Sequence, residues 1–473
     1  MGQLAFFIEF LTLTGLWQRW VDSCPLAYTS PNAPSNADVL GTWLLSILSG
    51  HRRYAHVTAI RCDGVNPVLL GMSKVISEDA LRRGLKAIDA DEGTAWLDDQ
   101  IRHSTQALLD APWVLDIDTT IKPLYGHQQG SVVSYNPHKP GRPSHSYHTY
   151  LMAGLRLVLG MEVKAGDEHS AGHSLPGLLA LIDGLPADKR PRIVRGDCGF
   201  GSNTMMEALE ERGLSYLFKL RLSTNVKRLI ERVFAQPGWR DAGQGWEGLE
   251  TELALLGWHG PRRVVVIRRA LCGDMAMGRG DDRQQALGFL GPERDGGKRI
   301  RGYEYAVLVT NLGYEVRTLA QLYRDRADAE NTFDELKNQW GWGGFTTKDL
   351  HRCRLSARAV ALIYNWWSLY VRLANPDKRR EAITSRPWLM SSVGRRTEHA
   401  GQTTITLSTL HADFARARLA LTRVSELLQV WAREAAEQLD PIAVWDRCCN
   451  HLKQMLARIQ DPPGARAIAL EGG

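Results

Sequence analysis

Three carboxylates drawn from distant parts of the chain are the residues best suited to chemistry. Asp118 closes the apolar stretch Leu115-Asp116-Ile117-Asp118, before Thr119-Thr120, and these neighbours predict a strand whose end holds the carboxylate at a sheet edge. An ionised group there requires a cation or hydrogen bonds. Asp197 follows Arg192-Ile193-Val194-Arg195-Gly196 in the same manner, and Cys198-Gly199-Phe200-Gly201 lets the backbone reverse directly into a helix. In open α/β sheets the C-terminal ends of strands are where active sites form. With a third carboxylate from a helix, the two aspartates make an oxygen-rich site suited to hard divalent ions such as Mg²⁺. Taken singly, each aspartate also reads as an ordinary turn or cap residue.

The third group lies in the segment from Tyr323 to Lys337. At about 100° per residue, with Tyr323 as zero, Arg326 falls at roughly 300°, Glu330 at roughly 340° and Lys337 at roughly 320°. The four share one face. Ala329, Phe333, Leu336 and Trp340 cluster on an adjoining face that can dock on a sheet while the polar stripe looks into a cleft. A solvated amphipathic helix with i,i+4 ion pairs would show the same pattern. Asp116, Asp334 and Glu335 are the neighbouring carboxylates that compete for the same roles.

The elements that must position these groups read as an α/β fold. Residues 1–110 are helical, with a Pro/Ser/Asn-rich loop at 30–36 and a weak helix-turn-helix-like pair, Val68 to Met72 and then Glu78 to Ile88 behind Ser77. Residues 111–222 alternate short apolar runs with helical ones. Trp113–Asp118 is a predicted strand, Tyr147–Leu159 and Met161–Ala165 a hairpin about Gly160, Leu175–Leu185 a helix and Arg192–Arg195 a strand. Asn203–Arg212 then reads as a helix, and Ser215–Leu222 as a strand. Residues 223–302 suggest a β-rich insertion with a charged loop from Gly278 to Lys298. Residues 303–375 predict a strand, a helix from about Thr318 to Trp340 and an aromatic helix through Trp366-Trp367. Residues 376–473 are helical.

Composition agrees with a soluble globular chain: 473 residues, 44% hydrophobic and 23% charged, enough for about three folded units. Net charge is +6, which permits nucleic acid as a partner without requiring it. Seven cysteines without a C-x-x-C pair predict a reduced, cytoplasmic protein. The longest apolar runs, such as Val39 to Leu48, fall short of the roughly 20 residues that span a bilayer, and the N-terminus lacks signal-peptide features. His169 and His173 have i,i+4 metal-ligand spacing but no third ligand. Trp239, Trp246 and Trp258 read as sheet packing or as aromatics that could hold a flipped base, and Cys448-Cys449 as part of a helix face. The basic runs Arg52-Arg53, Lys378-Arg379-Arg380 and Arg395-Arg396 could contact backbone phosphate or form solvated faces.

The helix matches without a gap the Tyr-(2)-Arg-(3)-Glu-(6)-Lys signature of DDE transposases in the superfamily named after insertion sequence four, at Tyr323, Arg326, Glu330 and Lys337. Asp118-Thr119-Thr120 resembles that family's first-aspartate motif. Arg195-Gly196-Asp197-Cys198-Gly199-Phe200 resembles its second, departing at Gly196 and Cys198 from the frequent Arg-Ala-Asp-Ser-Gly-Phe. Gly126-His127-Gln128, Tyr135-Asn136 and Thr310-Asn311-Leu312 are similar to connecting motifs of the branch named after insertion sequence thirteen-eighty.

The resemblance implies a ribonuclease-H-like catalytic core with a β-rich insertion, flanked by helical N- and C-terminal regions. It implies cut-and-paste transposition of a bacterial insertion sequence, with Asp118, Asp197 and Glu330 holding two Mg²⁺ ions, Mn²⁺ substituting, roughly 3.5 to 4 Å apart. Tyr323, Arg326 and Lys337 would contact DNA beside the scissile bond, and residues 1–110 would bind the terminal repeats. The implied partner is double-stranded DNA, both terminal inverted repeats and target, bound by a homodimer associated with the nucleoid and with no membrane. The alternatives are a transposase-derived DNA-binding protein, whose expected mark is loss of a carboxylate, and a nuclease without strand transfer.

Overall fold

The computed structural model describes residues 1–109, 112–133, 139–166, 170–272, 294–295, 298–410, 413–437 and 443–460. Most of the charged loop between Gly278 and Lys298, the Tyr135-Asn136 motif and His169 lie outside the described residues.

The first 109 residues form α1 (Leu4–Leu13), α2 (Leu16–Asp22), α3 (Asn36–Leu48), α4 (Asn66–Leu69), α5 (Glu78–Ala87) and α6 (Ala90–Thr105). Their starts are written in the sequence: a capping box of Ser35 and Asp38 opens α3, Ser77 caps α5 and Asp89 caps α6. The apolar run read against a membrane span is α3, buried continuously from Asp38 to Leu48. Among the described residues no helix is long and apolar enough to cross a membrane.

Strands β1 (Val114–Pro123), β2 (Val132–Val133), β3 (Pro143–Met152) and β4 (Leu157–Ala165) precede α7 (Ser170–Asp183), β5 (Ile193–Gly196), α8 (Asn203–Glu210) and β6 (Ser215–Lys219). The hairpin turn lies at residues 153–156, where Gly154 and Arg156 take positive φ of 77° and 56°, and not at Gly160. Gly160 instead pairs with Tyr150 beside a register shift, so the expected turn is a bulge within β4. Both glycines sit in one apolar run, and periodicity alone did not separate them.

Next come α9 (Thr224–Phe234), β7 (Arg240–Gly243), β8 (Trp246–Leu253), β9 (Arg262–Cys272), β10 (Arg294–Asp295) and β11 (Lys298–Thr310). These strands join the same sheet, in the order β2-β3-β1-β5-β6-β11-β9-β8-β7, with β4 on β3 and β10 on β11. The β1-β5-β6 centre is parallel, its crossovers supplied by α7 and α8, whereas β11 returns antiparallel to β6.

The chain ends with α10 (Val316–Arg324), α11 (Ala327–Gln339), α12 (Leu350–Ala374), α13 (Ala382–Met390), a separate hairpin of β12 (Gly394–His399) and β13 (Gln402–Leu407), α14 (Phe414–Glu437) and α15 (Ala443–Gln460). From Leu355 to Val371 α12 is buried on all sides. Trp20 of α2 stacks on Trp96 and meets Trp366 edge-on at 5.5 Å, and Phe7 of α1 meets Trp367 and Tyr370. The N-terminal helices therefore share one apolar core with α12 and α14. Asn365, buried in α12, accepts from the Val158 N–H at 2.9 Å and donates to its carbonyl at 2.7 Å, pairing the backbone of β4 beside its bulge.

Candidate active site

The parallel register of β1 on β5 sets Asp116 opposite Arg195 and Ile117 opposite Gly196. Side chains alternate along a strand, so Asp118 and Asp197 lie one step further on the same face. β1 does not end at Asp118, as its sequence suggested. It continues to Pro123 against β3, with Asp118 opposite Thr149. What ends there is β5, and the two aspartates stand where the parallel ladder opens.

Asp197 is partly buried, and its carboxylate accepts the Gly199 N–H at 2.9 Å, which fixes the turn into the segment capped by Ser202. A Cβ at Gly196 would approach Ile117 Cγ1 and Phe200 Cδ2 at 3.0 Å each, so the position before Asp197 accepts only a small residue. Cys198, the other departure from the motif, is exposed.

The expected single helix from Thr318 to Trp340 is two, joined at Asp325 and Arg326. Here the N–H groups of Arg326, Asp328 and Ala329 bond three residues back, to the carbonyls of Tyr323, Asp325 and Arg326. Such a tightened turn departs from the 3.6-residue period. The apolar face is as read: Ala329, Phe333, Leu336 and Trp340 are buried.

Arg326, at the junction, is only 4% exposed. Its guanidinium donates to Asp118 Oδ1 at 3.0 Å and to Glu330 Oε1 at 2.7 Å, so it links two of the three carboxylates. Burial favours loss of its proton, but the charge of Asp118 and then Asp197 outweighs that and holds its pKa above the usual arginine value. Glu330 is largely exposed, its side chain at 65% against 17% for Asp118. Tyr323 is half-buried, and burial, with Asp197 and Glu330 nearby, raises its pKa and keeps the hydroxyl protonated. Lys337 is exposed two turns beyond Glu330.

The donor set is made of hard carboxylate oxygens, the ligand type that Mg²⁺ takes, so the three residues fit that ion in kind. Among the described residues, however, no three His, Cys, Asp or Glu side chains are gathered closely enough to hold a metal. Arg326 supplies the counter-charge, and Asp118 and Glu330 would bind a metal by exchanging the guanidinium for it.

Reading motifs alone missed the groups beneath the site. Arg195, 2% exposed, meets Asp116 through two bonds of 2.5 and 2.7 Å and also donates to the Leu322 carbonyl at the end of α10. It thus ties both aspartate strands to the helix junction. The signal was the period of two in Asp116/Asp118 and Arg195/Asp197, which places an acid beside a base once the strands are parallel. Glu335, buried, accepts from Arg379 at 2.5 Å and from the Ala382 N–H at 2.9 Å, joining α11 to α13. Further along β1, the ammonium of Lys122 is buried near Tyr147 and Gly343 without a hydrogen-bond partner among the described residues, and burial pushes its pKa down to about 8.

Residues 110–366 match a family model described as "Transposase DDE domain". Among solved structures, the chain is similar to that in a cryo-EM structure of piggyBac transposase synaptic complex with hairpin DNA. The similarity stands at 10% identity and a TM-score of 0.39, covering 97% of this chain and 85% of that one. The comparison with curated proteins finds no match.

Proposed function

The chain belongs to the transposase DDE domain family, and from that premise we propose that it moves a bacterial insertion sequence by cut-and-paste, through DNA strand cleavage and strand transfer at terminal inverted repeats. Within the family we place it in the superfamily of insertion sequence four, nearest the branch of insertion sequence thirteen-eighty, with a ribonuclease-H-like core. The observation that carries the site assignment is the register that brings Asp118 and Asp197 to the same level of the sheet, with Arg326 linking Asp118 to Glu330.

In this reading Asp118, Asp197 and Glu330 are the catalytic carboxylates. They would hold two Mg²⁺ ions, which supply an activated oxygen nucleophile and stabilise the leaving oxygen. The chain's own contributions are positional and electrostatic. Asp197 is fixed by the Gly199 N–H, and Asp118 by its strand. Glu330 is the movable member, exposed on the first turns of α11. Were Asp118 and Glu330 to hold the ions, Arg326 would be free of both carboxylates and would face a phosphate, with Tyr323 at its side. Lys337, on the exposed side of α11, contacts the backbone further along. The working form is a homodimer that holds two element ends, in the cytoplasm at the nucleoid.

The test is incubation of the purified chain with the element's own ends and Mg²⁺, resolving nicked, hairpin and joined products. Joined products are expected. Cleavage without joining reduces the activity to that of a nuclease, and binding without cleavage to that of a DNA-binding protein.

A further inference from the structure

The β12–β13 hairpin belongs to neither the central sheet nor the catalytic face. Its strands pair from Gly394 with Leu407 to His399 with Gln402, and Ala400 and Gly401 turn the tip with φ of 49° and 75°, the two-residue turn that follows the natural twist of a ribbon. One face is anchored: Ile405 and Leu407 line a cleft with Phe6, Ile8 and Leu13 of α1. The base is anchored too. Gly2 N–H donates to the Ser392 carbonyl at 2.5 Å, and a Cβ at Gly2 would meet Gly394 N at 2.3 Å.

The other face carries Arg395, Thr397 and His399 on β12 and, directly opposite, Thr406, Thr404 and Gln402 on β13. All six are exposed, each side chain can donate a hydrogen bond, and none is acidic. Glu398, the hairpin's acid, lies on the anchored side in an ion pair with Arg396 at 2.5 Å. The surrounding sequence is basic. Residues 376–424 hold nine Lys and Arg against four Asp and Glu, net +5 where all 473 residues carry +6. Part of that charge is gathered at α13, where Arg380 and Arg416 both lie over the Trp388 ring, at 4.9 and 5.3 Å.

We propose that this ribbon is a duplex-DNA contact, its Arg395-Thr397-His399 and Gln402-Thr404-Thr406 face laid in the major groove. That groove, about 12 Å wide, admits a two-stranded ribbon, and strands of this length reach about 20 Å along it. The donor-rich face suits the acceptor atoms of base edges and phosphates, and the local excess of positive charge supplies the attraction that a neutral ribbon lacks. The inference rests on the reading that the chain acts on double-stranded DNA.

The experiment is binding of the full chain, without divalent ions, to a double-stranded oligonucleotide of random sequence and to the same duplex with glucosylated hydroxymethylcytosine filling the major groove. Arg395→Glu is expected to weaken binding to the plain duplex by about tenfold or more. Thr397→Ala with Thr404→Ala is expected to weaken it severalfold, and Thr403→Ala on the anchored face to leave it unchanged. Glucosylation should weaken the wild type and add little to Arg395→Glu. If the wild type binds but Arg395→Glu binds equally, or glucosylation has no effect on the wild type, the ribbon is not a groove contact while the DNA reading stands. If the wild type binds no duplex, both fall.

Discussion

At the scale of single residues, the carboxylates divide by their partners. Asp118→Ala, Asp197→Ala and Glu330→Ala are each expected to abolish cleavage while leaving DNA binding largely intact; a variant that cuts at near wild-type rate removes its residue from the site. Asp334 is exposed, and its alanine variant should stay active. Asp116 and Glu335 behave differently, because each is the buried counter-charge of an arginine. Their alanine variants should lose about 3–5 kcal/mol, the usual consequence of stranding a buried charge, read as a lower urea midpoint, rather than prove silent. Lys337, exposed and able to reach a phosphate, should act electrostatically: Lys337→Ala is expected to reduce the slope of log affinity against log salt by about 0.9, and an unaltered slope would dismiss the contact. Lys122 makes a pH prediction. Its folded pKa of about 8 lies below the ordinary 10.5, so between those values the unfolded chain binds more protons. Stability must therefore rise with pH across that window, at up to about 1.4 kcal/mol per unit. Lys122→Met should be more stable than wild type at pH 7 and show no such rise in thermal melts; parallel pH profiles for the two proteins would count against this account.

At the scale of elements, α12 and β4 depend on each other through one amide. Asn365→Leu would leave the Val158 N–H and carbonyl buried without partners, and a loss of about 2–4 kcal/mol is expected. Hydrogen exchange should locate the loosening in β4 beside its bulge, and a global loss with β4 protection unchanged would refute the link. This junction also marks the limit of what the sequence made legible. The strands bearing Asp118 and Asp197 and the helix bearing Glu330 could be read because each is a local pattern of apolar spacing, although β1 runs on past Asp118 to Pro123. The bulge at Gly160 could not, since it follows from the crossing of α12 over β4, some 200 residues away by the Asn365–Val158 bonds. Nor could the break at Asp325 and Arg326, where a helical face continues in the sequence while the backbone tightens. The wheel placed Arg326 beside Glu330 correctly. It could not show that Asp118, arriving from another strand, would bury the guanidinium between them.

At the scale of the whole molecule, the shared core sets what can be removed. A chain lacking residues 1–109 would bare Trp366, Trp367 and Tyr370 of α12, and its expected fate is aggregation rather than a selective loss of DNA specificity. A soluble, cooperatively melting fragment from residue 110 onward would contradict this. The same burial of α12 has a consequence in time. Trp366, Trp367 and Tyr370, against which Trp20 and Phe7 pack, are encoded more than three hundred positions later, and synthesis runs at roughly 5–20 residues per second. The N-terminal helices therefore spend of the order of twenty seconds or more outside the ribosome with their largest apolar surfaces uncovered. Asp118 similarly waits for Glu330. The nascent chain is thus without an assembled site, and with that apolar surface uncovered, through most of translation; the first condition ends when α11 emerges and the second only with α12.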